Sequence, residues 1–399
     1  MLPVTKRSLL VLGASRYQLG TIETAKRLGY HVICSDNVPS NPGHVLADKS
    51  YFIDTTDRER ILALARNEKV AGVISPCTDV AVTTGAFVAQ HLGLSAPPLD
   101  AAEIVCDKLI FRQFLKSKGF PVPPFFVLPG APRLNGSSFG KRPWIIKPTR
   151  SSGSKGAFIV GSLQDLEACL PETLEFSANG RAVLEEFIEG FQGTCEGILN
   201  DGKVVLACLL DRQTAAAPYV ATSGHRVPTS LPVETQRLII TALQDLWQLL
   251  GVTEAVFDCD FVVSGKQVFI LEMSPRLGGN CIASLILKSS GFDFVEYAIR
   301  LVCNESLKLP DALVLHPMAV MILGASDDGR LDYDERAVDA LAQTNWIDSL
   351  SMDIAVGSRV EAFTNGRRRI GECFLRGSSY EDVCAKSDQV LRRLQIMAS

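Results

Sequence analysis

Apolar residues near the start of the chain come in short unbroken runs. Ser8 to Gly13 and His31 to Ser35 are two of them, and between them Gly20 to Gly29 carries apolar positions at helical spacing and ends in glycine. Runs of this kind suit parallel strands covered on both faces, so the stretch predicts a strand, helix, strand unit. Asp57 to Asn67 predicts a further helix and Val70 to Ser75 a further buried strand, and the first hundred residues alternate as an open α/β domain. The first turn, Gly13 to Gly20, lacks the GxGxxG spacing, which speaks against a nicotinamide cofactor.

The pattern changes after Ala96-Pro97-Pro98. A helix is predicted over Asp107 to Lys118, ending at Gly119, followed by an extended proline-rich segment, Phe120 to Pro129. Trp144 to Pro148 predicts a strand that leaves through Thr149-Arg-Ser-Ser-Gly-Ser-Lys-Gly156 and returns over Ala157 to Val160. Small residues and glycines let backbone N–H groups close around a phosphate, and Lys147 and Lys155 add charge; a plain hairpin loop is the simpler reading. Ala182 to Gly190 predicts a strand, and Cys195 to Asn200 turns at Asp201-Gly202 into Lys203 to Leu210. The helix Glu234 to Leu250 is expected to pack through Leu238, Ala242, Leu246 and Leu249. Leu277-Gly-Gly-Asn280 leads into a helix over Cys281 to Leu287, and from about residue 311 short strands precede a final helix, Tyr380 to Leu394.

Two strands carry the chemistry. Ala255 to Val263 and Val268 to Arg276 are joined by Ser-Gly-Lys-Gln, a hairpin in which Asp258 and Asp260 share one face, as do Glu272 and Ser274. An odd connecting loop, such as three residues centred on Lys266, would bring the two faces together with Asp260 opposite Glu272. Facing carboxylates repel unless a cation lies between them, and an all-oxygen ligand set suits magnesium carrying phosphates. A solvated acidic hairpin is the plain alternative.

The chain has 399 residues, 47% of them hydrophobic, with 31 glycines and a net charge of −4, which fits two or three globular domains and no general attraction to nucleic acid or anionic membrane. Its 11 cysteines form no CxxC pair and its 5 histidines no HExxH motif, which argues for reduced thiols in the cytoplasm and against a zinc site. The opening Lys6-Arg7 and its apolar run are too short for a signal peptide, and no membrane-spanning stretch is expected.

In this order the segments resemble the ATP-grasp superfamily, specifically carboxylate–amine ligases with a pre-ATP-grasp amino-terminal domain. The resemblance is carried by Leu12-Gly13, Ala25 to Val32, Asn41-Pro-Gly43, Ala47-Asp48, Asp107-Lys108, Ile146-Lys147-Pro148, Gly153 to Gly156, Glu185 to Ile188 and the acidic hairpin. It implies a mixed α/β and α+β fold: a Rossmann-like domain over 1–105, an ATP-grasp domain over 106–310 with a mobile small lobe near 120–210, and an α+β subdomain over 311–399. By the same resemblance Lys108 and Lys147 contact ATP phosphates, Ser154, Lys155 and Gly156 form the lid, and Glu185, Glu186 and Ile188 read adenine largely through backbone. Gln192 stands where a ribose-binding glutamate is common. Asp260 and Glu272 are the implied metal carboxylates, with Ser274 in place of the usual asparagine, a shorter oxygen ligand that leaves a second metal position in doubt.

The implied reaction joins a carboxylate to an amine at the expense of ATP, with magnesium, or manganese in its place. The carboxylate attacks the γ-phosphate, and the amine then displaces phosphate from the acyl phosphate. Lys147 and Arg276 are the implied catalytic residues, with the N–H groups of Leu277 to Gly279 helping Arg276 at the oxyanion. A salt bridge from Arg276 to Glu272 is the structural alternative. Ser15, Arg16, Thr78, Asp79, Arg226, Arg276, Gly278 and Gly279 are the candidate substrate residues, although a loop arginine such as Arg226 is more often simply solvated. Small-molecule acid and amine partners are expected, an amino acid among them, with neither nucleic acid nor membrane; a homodimer is allowed. The alternatives are a purine-pathway or biotin-carboxylase-like enzyme, a phosphotransferase, and a nucleotide-binding module without catalysis.

Overall fold

The computed structural model describes residues 6–129 and 142–399. Its first unit is a four-stranded parallel sheet in which Ser8–Leu12 lies between His31–Ser35 and Gly72–Ile74, with Lys49–Tyr51 at the edge. The apolar runs form these strands because both faces are covered; Leu9 to Leu12 are fully buried. The carboxyl ends of the strands open toward the centre of the molecule.

A second four-stranded sheet is built from Phe125–Leu128, Trp144–Pro148, Phe158–Val160 and Ala182–Glu186. It is the small lobe, and the helix Leu163–Glu175 lies in contact with its central strand. The lobe ends earlier than the sequence implies: Phe191–Asn200 and Lys203–Thr214, expected within it up to about 210, are adjacent strands of the large central sheet. The chain crosses from one sheet to the other after Glu186, where four residues break the pairing.

The central sheet has eight strands, and its strands Met318–Leu323, Gly371–Arg376 and Ile347–Met352 come from beyond residue 311. Met318–Leu323 pairs directly with Thr222–Val227, so the carboxyl-terminal region extends the central sheet. A separate three-stranded sheet of short strands, Gly329–Asp332, Arg359–Val360 and Met397–Ala398, completes it. Tyr380–Leu394 is helical over the predicted span, started by the Ser379 hydroxyl accepting from Asp382 N.

The helix Val233–Leu249 covers one face of the central sheet. Its packing stripe is Ile239, Leu243, Leu246 and Trp247, one position round from the expected Leu238, Ala242 and Leu249; Leu238 and Leu249 are exposed. Both stripes satisfy a 3.6-residue repeat, and the bulk of Trp247, stacked near Phe257 with ring centroids 5.4 Å apart, decides between them. The opposite face is apolar at one end, where Ile198, Cys208, Leu210 and Val256 pack with the first domain and the helices Ile282–Ser290 and Phe294–Val302. At its other end this face is polar and floors a cavity.

Candidate active site

The cavity encloses about 700 Å³ between the central sheet, the small lobe, the ends of the first domain's strands and a loop near residue 366. Its floor is set by strand register. Asp260 faces Glu272 and Asp258 faces Ser274 across the hairpin, while on the other side Asp258 faces Glu196 and Asp260 faces Thr194. The hairpin turn is not the expected odd loop. Ser264 pairs with Gln267 across a two-residue turn, Gly265-Lys266, and a bulge between Phe261 and Asp260 restores the register that puts the carboxylates opposite each other.

Each of the two carboxylates has a cation of the protein beside it. Lys108 Nζ lies 3.2 Å from Glu272 Oε1. Burial depresses the lysine, but Glu272 and Asp79 outweigh it and raise its pKa. Asp260 accepts from Thr194 Oγ1 at 2.6 Å and lies 3.6 Å from Arg212. Ser274 Oγ is buried at the cavity wall beside the Asp79 carboxylate, whose pKa it helps to lower. Two facing carboxylates with a hydroxyl beside them fit a hard cation with oxygen ligands, so Asp260, Glu272 and Ser274 would hold it.

Arg276 does not reach for Glu272. Its guanidinium spans Asp79, at 2.7 and 3.0 Å, and Asp258, at 2.6 Å, which joins the first domain to the hairpin. Although burial opposes its charge, the two carboxylates hold Arg276 firmly cationic. The sequence reading gives Gly278 N–H to the oxyanion, but in the structure it donates to Glu196 at 2.9 and 3.2 Å. Gly279 lines the cavity; Gly278 does not. Burial first, and then repulsion from Asp258, raise the carboxyl of Glu196; burial, with repulsion from Asp260 and against the pull of Arg276, raises that of Asp258 to about 7.

On the small lobe, Lys147 donates to Glu185 at 3.1 Å, and Glu185 meets Arg112 at 2.6 Å. The Glu185 side chain, at the cavity wall, thus anchors the lysine. Burial would raise its pKa, but Arg112 and Lys147 bring it down to about 2. Glu186 N and Phe187 N are spent on Pro124 and Pro143 carbonyls, and Glu186 pairs with Arg142. Ile188 and Gln192 line the cavity beside them.

The loop expected to form the lid lies at the cavity, which Gly153, Ser154 and Lys155 line. Ser154, at φ 59°, contacts the Val220 carbonyl at 3.4 Å, and Gly366 N donates to Gly153 O at 3.3 Å. Lys155 faces the cavity, and burial together with Arg367 lowers its pKa to about 8. Gly156 does not line it: with φ 68° it sits where a side chain would strike Pro148 and Thr173, so its role is to fit the loop under the lobe.

Of the expected substrate residues, Ser15, Arg16, Thr78, Asp79, Arg276 and Gly279 line the cavity. The Ser15 hydroxyl is engaged by Gln18, and Arg16 by Asp353 at 2.7 Å. Arg226 lies elsewhere. It stands opposite Asp211 in the ladder, whereas its neighbour His225 stands opposite Arg212 on the cavity face. His225 is 1% exposed, with neither ring nitrogen partnered among the described residues, and burial keeps the ring neutral by lowering its pKa to about 3. Arg112, Glu196, Arg212 and His225 escape the sequence reading. Arg112 alone has a local signal, one helical turn after Lys108; the others are joined by pairings of strands distant in sequence.

An ATP-grasp domain model matches residues 140–284. The formate-dependent phosphoribosylglycinamide formyltransferase of Paraburkholderia xenovorans is 25% identical over 396 residues, covering 96% of this chain and 93% of that protein. The protein of the same description from Prochlorococcus marinus is 23% identical and covers 99% of both chains. Among solved structures, an L-amino acid ligase from Bacillus licheniformis superposes with a TM-score of 0.82 at 17% identity, covering 99% of this chain and 98% of its own. A phosphoribosylglycinamide synthetase from Anaerococcus prevotii gives 0.75 at 19% identity, covering 99% and 100%. At these identities the structures establish a shared fold.

Proposed function

As the chain belongs to the ATP-grasp superfamily and is an ATP-dependent ligase that joins a carboxylate to an amine, we propose that it activates the carboxyl of an amino acid as an acyl phosphate and passes it to a small amine. The observation that carries this reading is the convergence on one cavity of Lys108, Lys147 and Lys155 with the facing pair Asp260 and Glu272 and, at the deep end, Arg276. Phosphoryl transfer asks chiefly for positioning and for charge to be neutralised on the transferring group, and this set supplies both. A magnesium ion held by Asp260 and Glu272 would add charge neutralisation for the transferring phosphoryl group.

Lys108 and Lys147 hold the phosphates from the floor and the small lobe, and the lid bearing Lys155 excludes water from them. The substrate carboxylate attacks the γ-phosphorus and ADP leaves. The amine then attacks the acyl carbon, phosphate departs, and the amine's extra proton goes to phosphate or solvent. Arg276, fixed by Asp79 and Asp258, faces the acid and stabilises the negative oxygen in both steps. Groups of both signs at this end, Asp79 and Asp258 with Arg16, Arg276 and Arg367, complement a zwitterion. A phosphoribosyl amine is the second reading, supported by relatives that match over nearly their whole length.

The test is a panel of amino acids offered as acids with hydroxylamine as amine, scored for hydroxamate, ADP and phosphate, with formate plus a phosphoribosyl amine as a separate arm. Hydroxamate from an amino acid, in step with ADP and phosphate, is the expected result. Turnover only in the separate arm assigns the second reading, and release of AMP and pyrophosphate overturns both.

A further inference from the structure

Arg112 is the largest fully buried charged side chain among the described residues: it is 0% exposed and does not line the cavity. It lies on the helix Lys108–Ser117, one turn beyond Lys108. Its Nε is 2.6 Å from Glu185 Oε1, its Nη2 donates to Glu185 Oε2 at 3.3 Å, and its Nη1 donates to the Ile270 carbonyl at 3.3 Å. Ile270 adjoins the bulge that sets Glu272 opposite Asp260. Glu185 stands opposite Ile145 in the small-lobe sheet, which puts it diagonally across from Lys147 on the same face.

Burying an arginine is costly, and the burial calls for a reason beyond fold stability. Glu185 alone with Lys147 would form a neutral pair, and the lysine's charge would be spent inside the protein. With Arg112 on both carboxylate oxygens and Lys147 on Oε2, two cations share one anion, and a net positive charge remains directed through Lys147 to the cavity. We propose that Arg112 is a positioning residue for nucleotide binding: it neutralises Glu185 so that Glu185 can orient Lys147 without cancelling its charge. This rests on the reading of Lys147 as a phosphate-binding residue.

The test measures MgADP binding by calorimetry on the full chain, with urea unfolding in parallel. Arg112→Met should weaken binding by about tenfold or more, the usual worth of a charge-assisted phosphate contact. Adding Glu185→Gln to that variant should recover most of the loss, because Lys147 is no longer neutralised. A purely structural role for Arg112 predicts no recovery, so a double variant that is folded yet binds no better than Arg112→Met overturns the proposal. If the Arg112 variants do not fold, Glu185→Gln alone decides: binding at least as tight as wild type supports the proposal, and weaker binding overturns it. Wild-type protein that does not bind MgADP, or Lys147→Ala that binds it unchanged, overturns the reading beneath and this inference with it.

Discussion

Replacing Gly278 by alanine tests whether Arg276 sits on a rigid seat. A methyl group on Gly278 would stand 2.6 Å from Glu196 Oε2, 2.9 Å from Asp258 Oδ1 and 2.9 Å from Ile282 Cδ1, where ordinary contact begins near 3.4 Å. None of the three can easily retreat. Glu196 is fully buried and held by Gly278 N–H, Asp258 is held by Arg276, and Ile282 is in the core. The loop must therefore lift by several tenths of an ångström and take Arg276, two residues earlier, with it. Overpacking of this kind costs about 1–3 kcal/mol of stability. Misplacing a catalytic group by about 1 Å costs on the order of 10²-fold in rate. The expected variant thus unfolds at lower urea and releases phosphate about a hundredfold more slowly. It still binds MgADP, because Lys108 and Lys147 are untouched. Wild-type turnover with unchanged stability would show that the loop yields freely and that its contact with Glu196 does not position Arg276.

Glu272→Gln should raise the magnesium needed for activity and lower the rate. It should also cost the metal-free protein up to about 1 kcal/mol, since the half-exposed Glu272 pairs with Lys108; a gain in metal-free stability would mean that repulsion from Asp260 outweighs that pair. Glu196 holds its proton above the ordinary value of 4.5 because it is buried and faces Asp258, so its contribution is complete below that value and is lost as pH rises toward its folded pKa. Wild-type unfolding free energy should therefore fall relative to Glu196→Gln with rising pH, by up to about 1.4 kcal/mol per pH unit, and parallel profiles would count against a buried shared proton. Arg226→Ala should leave turnover within about twofold, as expected of a side chain off the cavity face, and a large rise in KM would contradict that placement. Amide exchange of Gly153 to Gly156 should slow when MgADP is added, and equal rates would argue against closure of the small lobe over nucleotide.

What the sequence discloses is what depends on local periodicity. Alternation in a strand is enough to put Asp258 with Asp260 and Glu272 with Ser274, and the glycine and serine loop after Lys147 shows the lid. The opposed carboxylates rest on a bulge and a two-residue turn, not on an odd loop, because a bulge leaves no mark in a run such as Phe-Ile-Leu-Glu and only the pairing reveals it. Glu196 becomes a neighbour of Asp258 through the pairing of strands some sixty residues apart. Arg212 and His225 likewise meet through register, which is why the adjacent Arg226 looked equally eligible. The helical stripe of Val233–Leu249 failed for a related reason: apolar residues lie on both sides of the true face, and the contact with Phe257 that selects it is tertiary.

The direct pairing of Met318–Leu323 with Thr222–Val227 has a consequence for dissecting the protein. Cutting the chain near residue 310, at the boundary that the domain pattern suggests, would strip the partner from a strand whose neighbour carries Arg212 and whose own His225 faces the cavity. The fragment would present a row of unpaired N–H and C=O groups, a template for other copies to join. Aggregation, rather than a minimal soluble enzyme, is the expected yield of such a truncation, and chimaeras that exchange the carboxyl-terminal region must carry a strand of matching register across the junction.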